Sequence, residues 1–130
     1  MLSERRESGA AVVEFVLVGV LVVALFMGVL QVALYLHLRN VVAASVAEGA
    51  REAANADRDC ADGAARTRDL VARSVGDRVA AGLDLTDCTE VVESGVVLVR
   101  LRARGPLPLL FPPVGSVTVD ATAHAVEEGQ

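Results

Sequence analysis

Large aromatic side chains are scarce in this sequence. Tryptophan is absent, and only one tyrosine and three phenylalanines occur among the 130 residues. Because aromatic side chains bury the most apolar area per residue, any core here has to be built mainly from Val, Leu and Ala. A chain of this length that lacks large core residues has room for one small domain with a thin core.

Basic residues are also few, and lysine is absent. The formal net charge is −5 and the sequence pI is about 4.9. A nucleic-acid-binding domain usually presents a basic face, so the charge excludes nucleic acid as the expected partner.

Recognisable catalytic motifs are missing as well. The sequence contains no Gly-x-Ser-x-Gly, no phosphate-binding glycine loop and no His-Glu-x-x-His. His37 ends the apolar run, where an interfacial polar residue is common, and His124 has neither a nucleophile nor a second base placed beside it. Asp57 and Asp59 are more typical of a turn and helix cap than of a calcium site. We therefore expect no enzyme, no cofactor and no metal.

What the sequence does have is one long apolar run. Residues 15–30 include no charged or strongly polar side chain, and after Gln31 the apolar character resumes to Leu36. A helix over residues 15–36 is about 33 Å long at about 1.5 Å per residue, enough to cross a hydrocarbon core of roughly 30 Å. We predict a transmembrane helix over residues 10–38.

Glu14 lies just inside this apolar run. A carboxylate at the edge of a membrane span costs less than one at its centre, but it is unfavourable without a partner. The sequence therefore marks Glu14 as a functional residue rather than as part of a simple anchor.

The charged start at residues 1–9 favours a cytoplasmic N-terminus, because Arg5 and Arg6 flank the span. That orientation places residues 39–130 outside the membrane. A secretory signal peptide is the alternative, with residues 45–47 as a cleavage site, but the apolar region of a signal peptide is normally only about 7–15 residues long. A plain single-span anchor is the other alternative.

Beyond the span the pattern predicts an α+β domain. Val42, Ala43, Val46, Ala47 and Ala50 form a stripe of small residues at helical spacing, which continues the first helix as an amphipathic one. After residue 88 the apolar residues alternate with polar ones, which indicates a small three-stranded antiparallel sheet.

A second helix is expected between the first helix and the sheet. Asp62 is a candidate N-cap, Val71, Val75 and Val79 recur every four residues, and Gly82 is a stop signal. Cys60 and Cys88 bracket this helix.

Two cysteines cannot complete a zinc site by themselves. If the domain is exported, a Cys60–Cys88 disulfide is the expected pairing, and closing that loop stabilises the fold by about 3–4 kcal/mol. The alternative is two unrelated buried cysteines.

The start of the span resembles a known processing site. Gly9, four small or apolar residues, Glu14, Phe15 and a long apolar helix resemble type IV prepilins, which a dedicated peptidase cuts after the glycine. More closely, GAAVVEFVLV resembles the start of the TadE-like family, the minor pilins or pseudopilins of tight-adherence (Flp) pili. EGAREAA at residues 48–54 and the closing VTVDATAHAVEE also resemble family members.

This resemblance implies a role. Gly9 would precede the cleavage site, Ala10 would become the mature N-terminus, and Glu14 would set subunit register. The expected partners are the membrane, a prepilin-type peptidase, other pilin-like subunits and the pilus assembly machinery. The function implied is a structural minor pilin or pseudopilin of the cell envelope; the alternative is a stand-alone anchored extracellular binding module.

One further candidate contact lies in the proline-rich stretch at residues 106–113. We interpret this stretch as a loop between two strands. Leu110 and Phe111 either fold back onto the end of the core or stay exposed and contact a partner subunit or the membrane surface.

Overall fold

The computed structural model describes residues 2–108 and 117–127, with side chains from residue 9 onward. The element order is α1 (Leu2–Ala53), α2 (Cys60–Ser74), α3 (Asp77–Ala81), β1 (Cys88–Glu93), β2 (Val96–Leu107) and β3 (Val117–Val126). An α+β fold with a long apolar N-terminal helix and a three-stranded antiparallel sheet is therefore confirmed. By its internal contacts the chain divides into two units, Met1–Leu34 and Tyr35–Gln130.

Helix α1 is a single element of 52 residues. Residues 9–26 are exposed throughout, and the apolar segment within Gly9–Ala53 has a mean hydropathy of 2.8 with none of it buried. Among the described residues, this is one helix long and apolar enough to cross a membrane. An apolar helix that is exposed on all sides needs lipid or other helices around it.

The C-terminal part of α1 is amphipathic, but its buried face differs from the one we predicted. Ala43 is exposed and Ala47 is half-buried. Small polar or side-chain-free positions take part in the buried face instead, because α2 packs closely there. The buried residues are Leu38, Val42, Ser45, Val46, Gly49, Ala50 and Ala53.

Helix α2 begins three residues earlier than the sequence indicated. The N-cap is Asp59, whose carboxylate accepts hydrogen bonds from the backbone N–H groups of Ala61 and Asp62 at 2.8 and 3.0 Å. Asp62 accepts the reciprocal bond from the Asp59 N–H, so it is the N3 partner of a capping box and not the cap itself. Our prediction of Asp62 as the cap was wrong.

The predicted second helix is in fact two helices. Gly76 has a φ of 124°, a backbone conformation that strains any residue with a Cβ, and it separates α2 from the short α3. Val71 in α2 and Val79 in α3 are both buried. The valine spacing of four therefore continues across the break. The spacing of the valines therefore predicted one continuous helix, and Gly76 was the only sign in the sequence of the break between α2 and α3.

The sheet has the order β1-β2-β3, and both pairings are antiparallel. Ser94 and Gly95 both have positive φ, at 54° and 84°, which is the conformation of the tight two-residue turns that join hairpin strands.

Proline is accommodated inside β2 at residue 106. The backbone N–H groups of Arg102 and Arg104 donate to the carbonyls of Asp87 and Asp84, so alternate residues of β2 face that neighbouring segment. Pro106 has the same orientation but lies past the end of that pairing, so its missing N–H removes none of these hydrogen bonds. Our prediction that the loop starts at Pro106 was wrong for this reason.

The core lies between the helices and one face of the sheet. On β2 and β3 every second residue is buried or nearly so, as the alternation predicted, and Leu101 and Val119 are almost fully covered. The side chain of Leu101 reaches the helix layer beside Gly49.

Candidate processing site and exported surface

The predicted processing site lies on the exposed part of α1. Gly9, Ala10 and Glu14 are all exposed, and nothing approaches within 4 Å of the place where a Cβ on Gly9 would lie. Four residues make just over one helical turn, so Ala10 and Glu14 share a face of α1, about 6 Å apart along the axis. An amine released at Ala10 would therefore lie on the same face as the carboxylate.

The two cysteines are brought together as expected. Cys60 is the first residue of α2 and Cys88 the first residue of β1, with Cα atoms 5.9 Å apart and the sulfur atoms at disulfide distance. This covalent link joins the helix layer to the first strand.

The proposed partner contact at Leu110 and Phe111 lies outside the described residues. The interpretation of these side chains as a core plug or as an exposed contact stays a prediction.

The outer face of the sheet carries a ladder of ion pairs. The guanidinium Nε of Arg102 donates to Asp120 Oδ1 at 2.8 Å, and Arg104 lies 3.3 Å from the same carboxylate. Asp87 lies 3.7 Å from Arg100 and 3.8 Å from Arg102. These ion pairs connect β3, β2 and the segment before β1 on the solvent-facing side of the sheet.

The ion pairs of this ladder shift the pKa values of its members. The hydrogen bonds from Arg102 lower the pKa of Asp120, and the same bonds raise the pKa of Arg102. Asp84, beside the ladder, has a lowered pKa because the hydroxyl and N–H of Thr86 donate to its carboxylate at 2.7 and 3.0 Å.

Neither histidine takes part in such a cluster. His37 and His124 are exposed. Within residues 2–108 and 117–127 no group of three or more His, Cys, Asp or Glu side chains is arranged to hold a metal ion.

A close contact between α1 and α2 was not foreseen from the sequence. A Cβ on Gly49 would lie 2.6 Å from the carbonyl oxygen of Gly63, and one on Gly63 would lie 2.6 Å from the carbonyl oxygen of Gly49. Thr67 donates to the Gly63 carbonyl at 2.9 Å at the same crossing. A glycine inside an otherwise helical pattern was the signal that could have found this contact, since it often marks a close backbone approach.

The segment of α1 that can be compared with known families begins at Gly9, carries Glu14 and continues as the exposed apolar run. Residues 9–51 match the TadE-like protein family. The family resemblance read from the sequence is thereby confirmed over these residues, and the match ends before α2. No curated protein matches the chain, and no solved structure does. The TadE-like segment thus contains the predicted processing site, the apolar run and most of the buried face of α1.

Proposed function

We propose that this protein is a membrane-anchored, non-catalytic minor pilin or pseudopilin that acts structurally in the assembly of a tight-adherence pilus. The observation that carries the proposal is the TadE-like match, which begins at Gly9 and covers the exposed apolar part of α1. Proteins of this family are pilin-like components of such pilus systems.

The proposed topology follows from the charges. Arg5 and Arg6 hold the N-terminus on the cytoplasmic side, and the disulfide-linked domain lies outside, where oxidation is permitted. A prepilin-type peptidase then cuts between Gly9 and Ala10. The exposure of these two residues and the open space around Gly9 support this assignment.

Cleavage creates the chemistry that the assembly step needs. The new amine on Ala10 is positive and the Glu14 carboxylate is negative, and in hydrocarbon each is unfavourable without a partner. When two apolar helices pack side by side, the amine of one helix pairs with Glu14 of its neighbour. That pairing sets the axial register of the packed subunits.

Mass spectrometry of the protein purified from its native membrane tests the proposal. We expect a mature chain that starts at Ala10. Gly9→Leu should leave the leader attached, whereas the matched control Gly19→Ala, on the same helix with open space around it, should be processed normally. An intact leader in the unmodified protein would contradict the pilin role and favour the stand-alone anchored binding module.

A further inference from the structure

The end of the sheet around the β1–β2 turn is unusually apolar for an exposed surface. Exposure reaches 71% at Val92, 58% at Val126 and 44% at Val96. The strand register places Val91 opposite Leu98 and Leu98 opposite Val126, with Val92 opposite Val97. We call this cluster the hairpin end: Val91, Val92, Val96, Val97, Leu98 and Val126.

The hairpin end is apolar on both faces of the sheet. Side chains alternate along a strand, so Val96 and Leu98 lie on the same outer face as the arginine ladder, whereas Val92 and Val97 lie on the helix-facing side. The exposure of Val92 shows that the helices do not cover that side at the turn. Scattered exposed valines are ordinary, but three exposed valines that adjoin three half-buried apolar residues at one end of the sheet indicate an interaction surface.

Unpaired carboxylates surround this cluster. Glu90, Glu93 and Glu127 are exposed, and none of them forms an ion pair with another described residue. The contrast with the middle of the sheet is clear, since Asp87 and Asp120 each lie within 4 Å of two arginines there.

A groove of about 500 Å³ adjoins the hairpin end at Val126 and adds acidic groups to its border. Glu48 and Glu52 line the groove, together with one cation, Arg51. Their contacts with arginines are 3.4–3.9 Å long and partly exposed, so they are weak and leave the carboxylates open to a competing cation.

We propose that the hairpin end is the docking surface for a different polypeptide, one that presents apolar side chains framed by Arg or Lys. The exposed valines supply the apolar centre of the contact, and the unpaired carboxylates supply a rim that selects for positive charge.

The acidic rim also decides against the two other occupants. An anionic lipid surface is repelled by Glu90, Glu93 and Glu127. A second copy docked through the same surface brings like charges face to face, which is destabilising. This inference goes beyond the pilus role and does not depend on cleavage at Gly9.

Photo-crosslinking in the native membrane tests the proposal. A photoreactive residue replaces Val92 in the full-length protein, and a matched control carries it at Ser74, an exposed position at the end of α2. We expect position 92, but not position 74, to crosslink to one other polypeptide whose crosslinked segment contains apolar residues and Arg or Lys. Crosslinks between two copies, crosslinks to lipid, or none at all would overturn the proposal.

Charge reversal then tests the rim. The double variant Glu90→Arg/Glu93→Arg should reduce the crosslinking yield at position 92 by about tenfold or more, because the partner then meets like charge. Asp57→Arg, an exposed carboxylate in the turn before α2, should leave the yield unchanged. An unchanged yield in the double variant would refute the electrostatic selection. Since processing at Gly9 is read out separately, failure here is distinguishable from failure of the pilin role.

Discussion

Two glycines determine how closely α1 and α2 approach. Each carbonyl of the Gly49–Gly63 pair lies where the other residue's Cβ would be, so neither position has space for a methyl group. At Gly63 the nearest obstructing atom is the backbone oxygen of Gly49, which cannot move aside as a flexible side chain can; at Gly49 the Thr67 hydroxyl crowds the same space in addition to the Gly63 oxygen. The helix contact therefore depends on the absence of two side chains.

Gly63→Ala should destabilise the protein. Overpacking costs about 1–3 kcal/mol, and this exceeds the roughly 0.5–1 kcal/mol that Ala gains over Gly within a helix. Thermal unfolding of the full chain in detergent, followed by circular dichroism, should show a lower melting temperature. Gly82→Ala is the matched control, because its nearest neighbours are 3.5–3.7 Å away and its φ is −78°. Equal melting of the two variants would contradict the close approach.

Glu14 is the residue on which the proposed mechanism depends. Glu14→Ala removes a charge from an apolar helix, so membrane insertion should be unchanged or improved. Pilus incorporation should fall by about tenfold or more, which corresponds to losing at least about 1.4 kcal/mol of subunit pairing. Quantification of the protein in membranes and in sheared pili separates the two effects.

The control for Glu14→Ala is Val18→Ala, one turn further along the same exposed face of α1. It should leave both the membrane pool and the pili unchanged. Normal piliation by the Glu14→Ala strain would contradict the proposed pairing of Glu14 with a neighbouring subunit.

At the scale of the secondary-structure elements, the sheet is held together by charge on its outer face and by packing on its inner face. The folded state lowers the pKa of Asp120 through its hydrogen bonds with Arg102. A lowered pKa means that the unfolded chain binds the proton more readily. The stabilisation is therefore present above the unfolded pKa of about 3.9 and is lost as the pH falls through the lower folded value.

Asp120→Asn should remove this pH dependence. At pH 7 the variant should melt below the unmodified protein, and the difference should vanish as the pH is lowered below about 3.9 toward the folded pKa. Melting curves recorded from pH 7 down to about pH 2 check this. Thr122→Asn, on the same exposed face of β3, is the control and should show no convergence of this kind. A difference that persists at the lowest pH would mean that the carboxylate acts through packing and not through charge.

The elements differ in how far the sequence could predict them. Strict alternation identified β2 and β3 and their buried faces, because a period of two is set by the strand itself. Pro106 was placed in a loop because it opens a proline-rich stretch. Whether a strand tolerates a proline depends on where the neighbouring segment ends, which the sequence does not show. The break at Gly76 was hidden because helix periodicity runs across it.

The candidate site was predictable to a different degree. Gly9, Ala10 and Glu14 form a local motif, so their spacing could be read directly. Ser45 and Gly49 were missed because the identity of a buried helix face depends on which helix packs on it. The hairpin end was not foreseen either, since strand register brings Val126 beside Leu98 across a long separation in sequence.

At the scale of the whole molecule, the part that contains α2, α3 and the sheet lacks a large core and carries a covalent link. The buried residues are mostly Val, Ala and Leu, which bury little area per side chain. The Cys60–Cys88 pair joins the start of α2 to the start of β1 across a separation of 28 residues. It therefore fixes the helix layer to the sheet by a covalent bond.

The Cys60–Cys88 disulfide should be fully formed in the native protein. Thiol labelling of the denatured, unreduced protein should find no free cysteine, and labelling after reduction should find two per chain. On the chain-entropy model the closed loop contributes about 3–4 kcal/mol. Because 1 kcal/mol shifts the melting temperature of a small domain by about 4–8 °C, Cys60→Ser/Cys88→Ser should melt roughly 12–32 °C lower. Reductant should lower the melting temperature of the unmodified protein similarly and leave that of the double variant unchanged. Two labelled thiols without reduction would count decisively against the bond.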